Sequence, residues 1–178
     1  MPSRRTREDL IVLGQQRWML PVLAELRRSG GGRFAELRHR LGLPRDSLVR
    51  TLDAAIAAGW VQRNPGHGHP LRPEVILTEE GQRLAGPALA LAEALAQQGL
   101  APAALSRWSL PLIQGLAIGN ERFNELARHL PEASPRALSQ ALQRLVANDL
   151  VGRSVEPGYP PSSRYRLTAR GHALAKAA

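Results

Sequence analysis

Five side chains in "SPRALSQALQRLVANDLVGR", which runs from Ser134 to Arg153, have types and spacing suited to a definite chemistry: Arg136, Ser139, Gln140, Gln143 and Arg144. Arg can span O6 and N7 of guanine, and Gln can pair with N6 and N7 of adenine. Ser and Arg at the margins can hold phosphate oxygens. With Leu142 at zero on a helical wheel, Gln143, Arg136 and Gln140 fall at about 100°, 120° and 160°, with Ser139 and Arg144 flanking them. Leu138, Ala141, Leu142 and Leu145 recur at i, i+3, i+4 and i+7 and make the opposite, buried stripe. Ser134 is placed to cap this helix and Pro135 to occupy its first position. A merely solvated face is the competing reading, although alternating Glu and Lys would be its commoner form.

The element that positions these residues occurs twice. "RWMLPVLAEL" from Arg17 matches "RWSLPLIQGL" from Arg107, and "RFAELRHRL" from Arg33 matches "RFNELARHL" from Arg122. "LVRTLDAAIAAGWVQR" from Leu48 matches "LSQALQRLVANDLVGR" from Leu138, and "LTEEGQRLA" from Leu77 matches "LTARGHALA" from Leu167. Four matches in order at an offset of about ninety residues mark a tandem duplication. Each copy predicts a first helix with a buried tryptophan (Trp18 or Trp108) and a glycine break. A short helix follows, with Phe34 and Leu37, or Phe123 and Leu126, turned inward. A third helix and a two-stranded hairpin come next, and the copy closes on a helix near Glu79 or Ala169. This is the order of a winged helix-turn-helix. The predicted fold class is therefore mainly α with small β-hairpin wings (α+β), as tandem winged domains forming a pseudo-twofold dimer. The predicted organisation is residues 1–78 as a divergent first domain with an N-terminal arm, 79–100 as a bridging helix bent or split at Pro87, and 101–178 as the second domain.

Composition agrees with this reading. The chain of 178 residues is 43% hydrophobic but only 4% aromatic, so its core is built mainly of Leu, Ala and Val, which favours helix. It has no cysteine, which excludes disulfides and thiolate metal sites. With 24 Lys and Arg against 15 Asp and Glu, the formal net charge is +9, and Lys176 is the only lysine. That excess points to a polyanionic partner, nucleic acid ahead of a membrane surface, and Arg suits forked contacts to phosphate and guanine. No signal peptide or membrane-spanning run is read, so the expected residence is cytoplasmic, on the nucleoid.

The first copy differs at the matching face. Asp46 stands at the Arg136 position, Arg50 at Gln140 and Asp53 at Gln143, while Pro44 takes the place of Ser134. Carboxylates facing a groove meet phosphate repulsion, although Asp can accept from cytosine N4. Arg45 and Arg50 offset this in part, and the two copies are expected not to read the same sequence. In the wings, Arg72 in one copy and Ser162, Ser163 and Arg164 in the other are candidate backbone contacts. His67 and His69 form an HxH pair without further ligands, which reads as loop rather than metal site.

The second copy resembles the HxlR family of winged helix-turn-helix transcriptional regulators through "RFNEL", "SPRALSQ" and a wing ending in "YRLT" before Gly171. The first copy is a weaker match, through "QRWMLPVLAEL", "RFAEL" and "LTEEGQRLA", and departs at Pro44–Ser47 and in its wing. The resemblance implies double-stranded DNA as partner, bound by the third helix in the major groove with help from the wing, and no cofactor. Family members usually carry one domain and pair as homodimers, so two in one chain imply a covalent pseudo-dimer, its recognition helices about 34 Å apart. Cysteine-based sensing, known among family members, has no residue to use here.

Two other readings compete. An enzyme would need a spaced acid, nucleophile or metal set, which His39, His67, His69, His129 and His172 do not supply. "SGGGRF" lacks the lysine and threonine of a phosphate-binding loop and reads as a turn. A protein-interaction module is the stronger rival, with the acidic first copy contacting a protein of the transcription machinery.

Overall fold

A computed structural model describes residues 11–14, 16–64, 74–158 and 162–177. Arg72, His67, His69 and the N-terminal Arg4, Arg5 and Arg7 lie outside them. Backbone proximity divides the chain into two compact units, Gln16–Glu93 and a second built on Ala94–Ala178.

The first unit contains α1 (Met19–Ser29), β1 (Gly32–Arg33), α2 (Phe34–Leu41), α3 (Arg45–Ala57), β2 (Val61–Asn64), β3 (Glu74–Leu77) and most of α4 (Glu79–Gln97). α1 ends because Gly30 turns left-handed at φ 73°. α2 begins where Glu36 reaches back to accept the Arg33 N–H at 3.2 Å, which is why Glu stands three residues after Arg in "RFAEL". The antiparallel sheet has the order β1-β3-β2, with Gly32 opposite Val75 and Arg63 also opposite Val75 from the other side. Its first strand was not anticipated: two residues between helices carry no alternation to read. Pro87 neither splits nor ends α4. It is exposed, so water can serve the carbonyl that lacks an N–H partner.

The second unit repeats the order with α5 (Ser109–Ala117), α6 (Phe123–His129), α7 (Pro135–Ala147), β4 (Val151–Glu156), β5 (Ser162–Leu167) and α8 (Ala169–Ala177). A short 3-10 turn, Pro102–Ala104, precedes α5. Glu125 accepts the Arg122 N–H at 2.9 Å, matching Glu36. Residues from before Gln16 also belong here; a Cβ on Gly14 would lie 2.5 Å from the Arg107 carbonyl oxygen.

The cores are leucine-rich, as the composition implies. In α7, Leu138, Ala141, Leu142 and Leu145 are buried, as are Leu48, Leu52 and Ala55 in α3. Truncating one such leucine to alanine typically costs about 2 to 5 kcal/mol. The tryptophans stand at the N-caps of α1 and α5 rather than inside them. Trp108 is buried, but Trp18 is only half-buried, contrary to expectation. Each carries the preceding arginine on its ring, the guanidinium carbon 4.8 Å from the centroid in both copies. Phe34 and Phe123 are likewise half-buried: each opens its helix at the edge of a groove.

The motif "LTxxG" closes each unit by one geometry. Thr78 donates from its hydroxyl to the Gly59 carbonyl at 2.6 Å and accepts the Gly81 N–H at 3.0 Å. Thr168 does the same with Asp149 at 2.7 Å and Gly171 at 3.1 Å. The threonine thus starts the closing helix and ties it to the turn before the first hairpin strand.

Candidate nucleic-acid interface

In α7 the Ser134 hydroxyl accepts the Ala137 N–H at 3.2 Å, a cap worth about 1 kcal/mol. Arg136, Gln140, Gln143 and Arg144 are exposed and Ser139 is half-buried. Ser139 and Gln143 line a groove of about 420 Å³ that runs between α7 and the hairpin, with Arg153 and Tyr165 on its far wall. The helix face and one side of the wing therefore border a common groove, its floor apolar at Leu142, Val146 and Ala147 and its walls carrying Ser139, Gln143 and Arg153.

The hairpin is held in register by six residue pairs from Val151–Leu167 to Glu156–Ser162. Ser162 and Ser163 are half-buried. Ser163 accepts from both Nε and Nη2 of Arg153, at 3.1 and 2.9 Å. Arg153 was not singled out from sequence, because nothing in "LVGR" separates it from other exposed arginines. Arg164 is 26% exposed and lies between two carboxylates, with Nη1 2.9 Å from Glu121 and Nε 2.9 Å from Glu156. Its guanidinium is thus already engaged within the domain.

Glu121 is the centre of that tether. It accepts from Arg166 Nε at 2.9 Å and from Arg164, while its own carbonyl accepts the Tyr165 N–H at 2.8 Å. Arg122 adds an ion pair to Glu156 at 3.3 Å. The hydrogen bond from Arg166 and the charges of Arg166 and Arg164 hold the Glu121 carboxyl below its ordinary value of 4.5. A carboxylate lowered in the folded state stabilises above its unfolded value and loses that contribution as pH falls through the lowered one. The tether is therefore intact at neutral pH and fails only in acid. Glu121→Gln should raise amide exchange over Ser162–Leu167 several-fold at pH 7, beyond intrinsic rates. The native chain should show that rise only below the ordinary carboxylate range. Unchanged exchange in the variant would remove the tether's role in fixing the wing.

The first unit presents a different face. Arg45, Asp46, Arg50 and Asp53 of α3 are all exposed. Arg45 lies 3.8 Å from Asp46, and Asp53 lies 3.5 Å from Arg63 of β2. Pro44 at the N-cap offers no side-chain acceptor. The brace between body and wing also changes: Arg33 approaches Glu74 at 3.9 Å, whereas Arg122 and Arg164 hold those positions in the second copy. Among the described residues no helix is long and apolar enough to cross a membrane.

The chain is similar to several regulators. It is 39% identical over 69 residues to the HTH-type transcriptional regulator YvaP of Bacillus subtilis, covering 39% of this chain and 64% of that protein. It is 37% identical over 68 residues to YodB of the same organism, covering 38% and 61%. The chain thus spans less than two-thirds of the length of these relatives. Among solved structures, reduced YodB aligns with a TM-score of 0.38 at 31% identity, over 51% of this chain and 80% of that one. A MarR-family regulator of Enterococcus faecalis aligns at 0.40 and 31%, over 49% and 74%. The model of the HxlR-like helix-turn-helix matches twice, over residues 12–101 and 105–178. With two winged units each repeating its elements, the chain belongs to the HxlR-like helix-turn-helix family.

Proposed function

We propose that the protein is a sequence-specific transcriptional regulator that binds duplex DNA chiefly through its second domain. The observation that carries this reading is the exposed Arg136, Gln140 and Gln143 row of α7, whose Gln143 shares a groove with Arg153. These residues enter the major groove and read base edges, while Ser139, Arg144, Ser162, Ser163 and Arg153 hold the backbone. Arg164 serves by bracing the wing. The relatives' description as HTH-type transcriptional regulators supports the same class. The two winged domains act as a covalent pseudo-dimer. The first contributes Arg45, Arg50 and Arg72 to a half-site of different sequence.

A second reading rests on Asp46 and Asp53, which expose carboxylates where the second domain exposes Arg and Gln. It makes the first domain a contact for a protein of the transcription machinery. Footprinting of the full chain on its own promoter region, across a salt series, tests both. The regulator reading expects a protected site whose affinity falls steeply with salt, its two halves unequal in sequence. Absence of binding to every duplex at low salt, with a protein partner retained, would overturn it.

A further inference from the structure

In the first domain a cavity of about 290 Å³ lies between α3 and the β2–β3 ribbon. Its walls are apolar: Phe34, Val49, Leu52, Ile56 and Val75. Its rim carries Arg45, Asp53, Arg63 and Glu74. The second domain shows how this space arises. Arg63 pairs with Val75 across the ribbon as Arg153 pairs with Tyr165, so Val75 is the counterpart of Tyr165. Tyr165 stands between two separate grooves of mixed lining, one with Ser139, Leu142, Gln143, Val146 and Arg153, the other with Phe123, Arg128 and Ser162. With valine in its place, and Val49 at the position of Ser139, one apolar space reaches from the recognition helix to Phe34.

We propose that this cavity is a binding site for a small organic monoanion, with a single-ring or short-chain apolar body. The body packs against Phe34, Val49, Ile56 and Val75, and the anionic group meets Arg45 and Arg63. Apolar walls with a few charged groups at one side are the usual make-up of a ligand pocket. The charge of the ligand follows from the rim. Arg45 and Arg63 contact their acidic neighbours only at 3.8 and 3.5 Å, longer than close charge-assisted hydrogen bonds. Both guanidinium forks therefore keep donors for a ligand. Glu74 is turned to Arg33. The site concerns the protein without DNA, and stands or falls independently of the regulator reading.

Fluorine NMR titration of the full chain with 4-(trifluoromethyl)benzoate tests it, with 4-(trifluoromethyl)benzyl alcohol as the uncharged analogue. Saturable broadening of the benzoate signal is expected, with binding weakened at least about tenfold by Val75→Tyr, which restores the partition of the second domain. The double variant Arg45→Ala/Arg63→Ala should weaken the benzoate about tenfold and leave the alcohol unchanged. Should Val75→Tyr fail to fold, Val49→Phe fills the same space from a half-exposed helix position. No saturable binding, or binding that survives the filling variant, overturns the site. Equal loss of benzoate and alcohol in the arginine variant overturns the anionic ligand.

Discussion

Gly171→Ala should destabilise the second domain by about 1 to 3 kcal/mol or more, as overpacking against a fixed group does. A Cβ at this position would lie 2.1 Å from the Leu150 carbonyl oxygen and 3.1 Å from a Leu167 methyl. The oxygen cannot move aside, because it accepts the Thr168 N–H at 3.1 Å, and Thr168 in turn fixes the start of α8. The helix must lift or the hairpin must tilt. Gly81→Ala should act likewise in the first domain, where the same Cβ would meet the Trp60 carbonyl oxygen at 1.8 Å. Gly152→Ala is the control: the nearest atom to its Cβ, the Arg166 carbonyl oxygen, would lie at 3.9 Å, an ordinary contact, and alanine within a strand is favoured over glycine by about 0.5 to 1 kcal/mol. Urea unfolding checks all three, reading midpoint shifts at constant slope. A Gly171→Ala midpoint at or above the native one would refute the close-packing argument.

Arg136→Ala combined with Gln140→Ala should weaken the specific DNA complex by about 2 to 4 kcal/mol, roughly thirty- to a thousandfold, since each bidentate base contact is worth about 1 to 3 kcal/mol. Nonspecific affinity should change far less. The double variant loses one charge, so the slope of log K against log salt should fall by about 1 at most. Arg136 and Gln140 are exposed and neither is part of the leucine core, so folding should be unaffected. Quantitative gel shifts on operator and scrambled duplex separate the outcomes. Equal losses on both would mean that these side chains serve as backbone contacts and that base reading lies elsewhere.

The parts legible in the sequence were those whose causes are local or repeated. The leucine stripe of α7, its Ser134 cap and the glycine end of α1 each follow from residues within one or two turns. The duplication made weaker signals readable, because "RFxEL" and "LTxxG" recur and each has one geometric cause. What escaped was non-local. Glu121 meets Arg164 at a sequence separation of 43, and no spacing rule couples them. The division of one groove into two by Tyr165 depends on where a single side chain stands within the hairpin. Phe34 and Phe123 sit at helix starts, where an apolar type predicts burial but the neighbouring groove leaves each ring partly exposed. The exposed face of α7 was legible as a surface; its DNA contacts rest on the proposed function.

The change from Glu74 to Arg164 at the brace between body and wing also bears on how a duplicated chain folds. Tandem repeats this similar risk pairing the hairpin strand of one with the body of the other during folding. Such an exchange would set Arg164 opposite Arg33, where the native pairing sets Glu74. Like charges at close range disfavour that product, whereas Glu74 set opposite Arg122 would meet an attractive partner. Arg164 therefore acts as an address on its own strand, barring it from the first half of the chain.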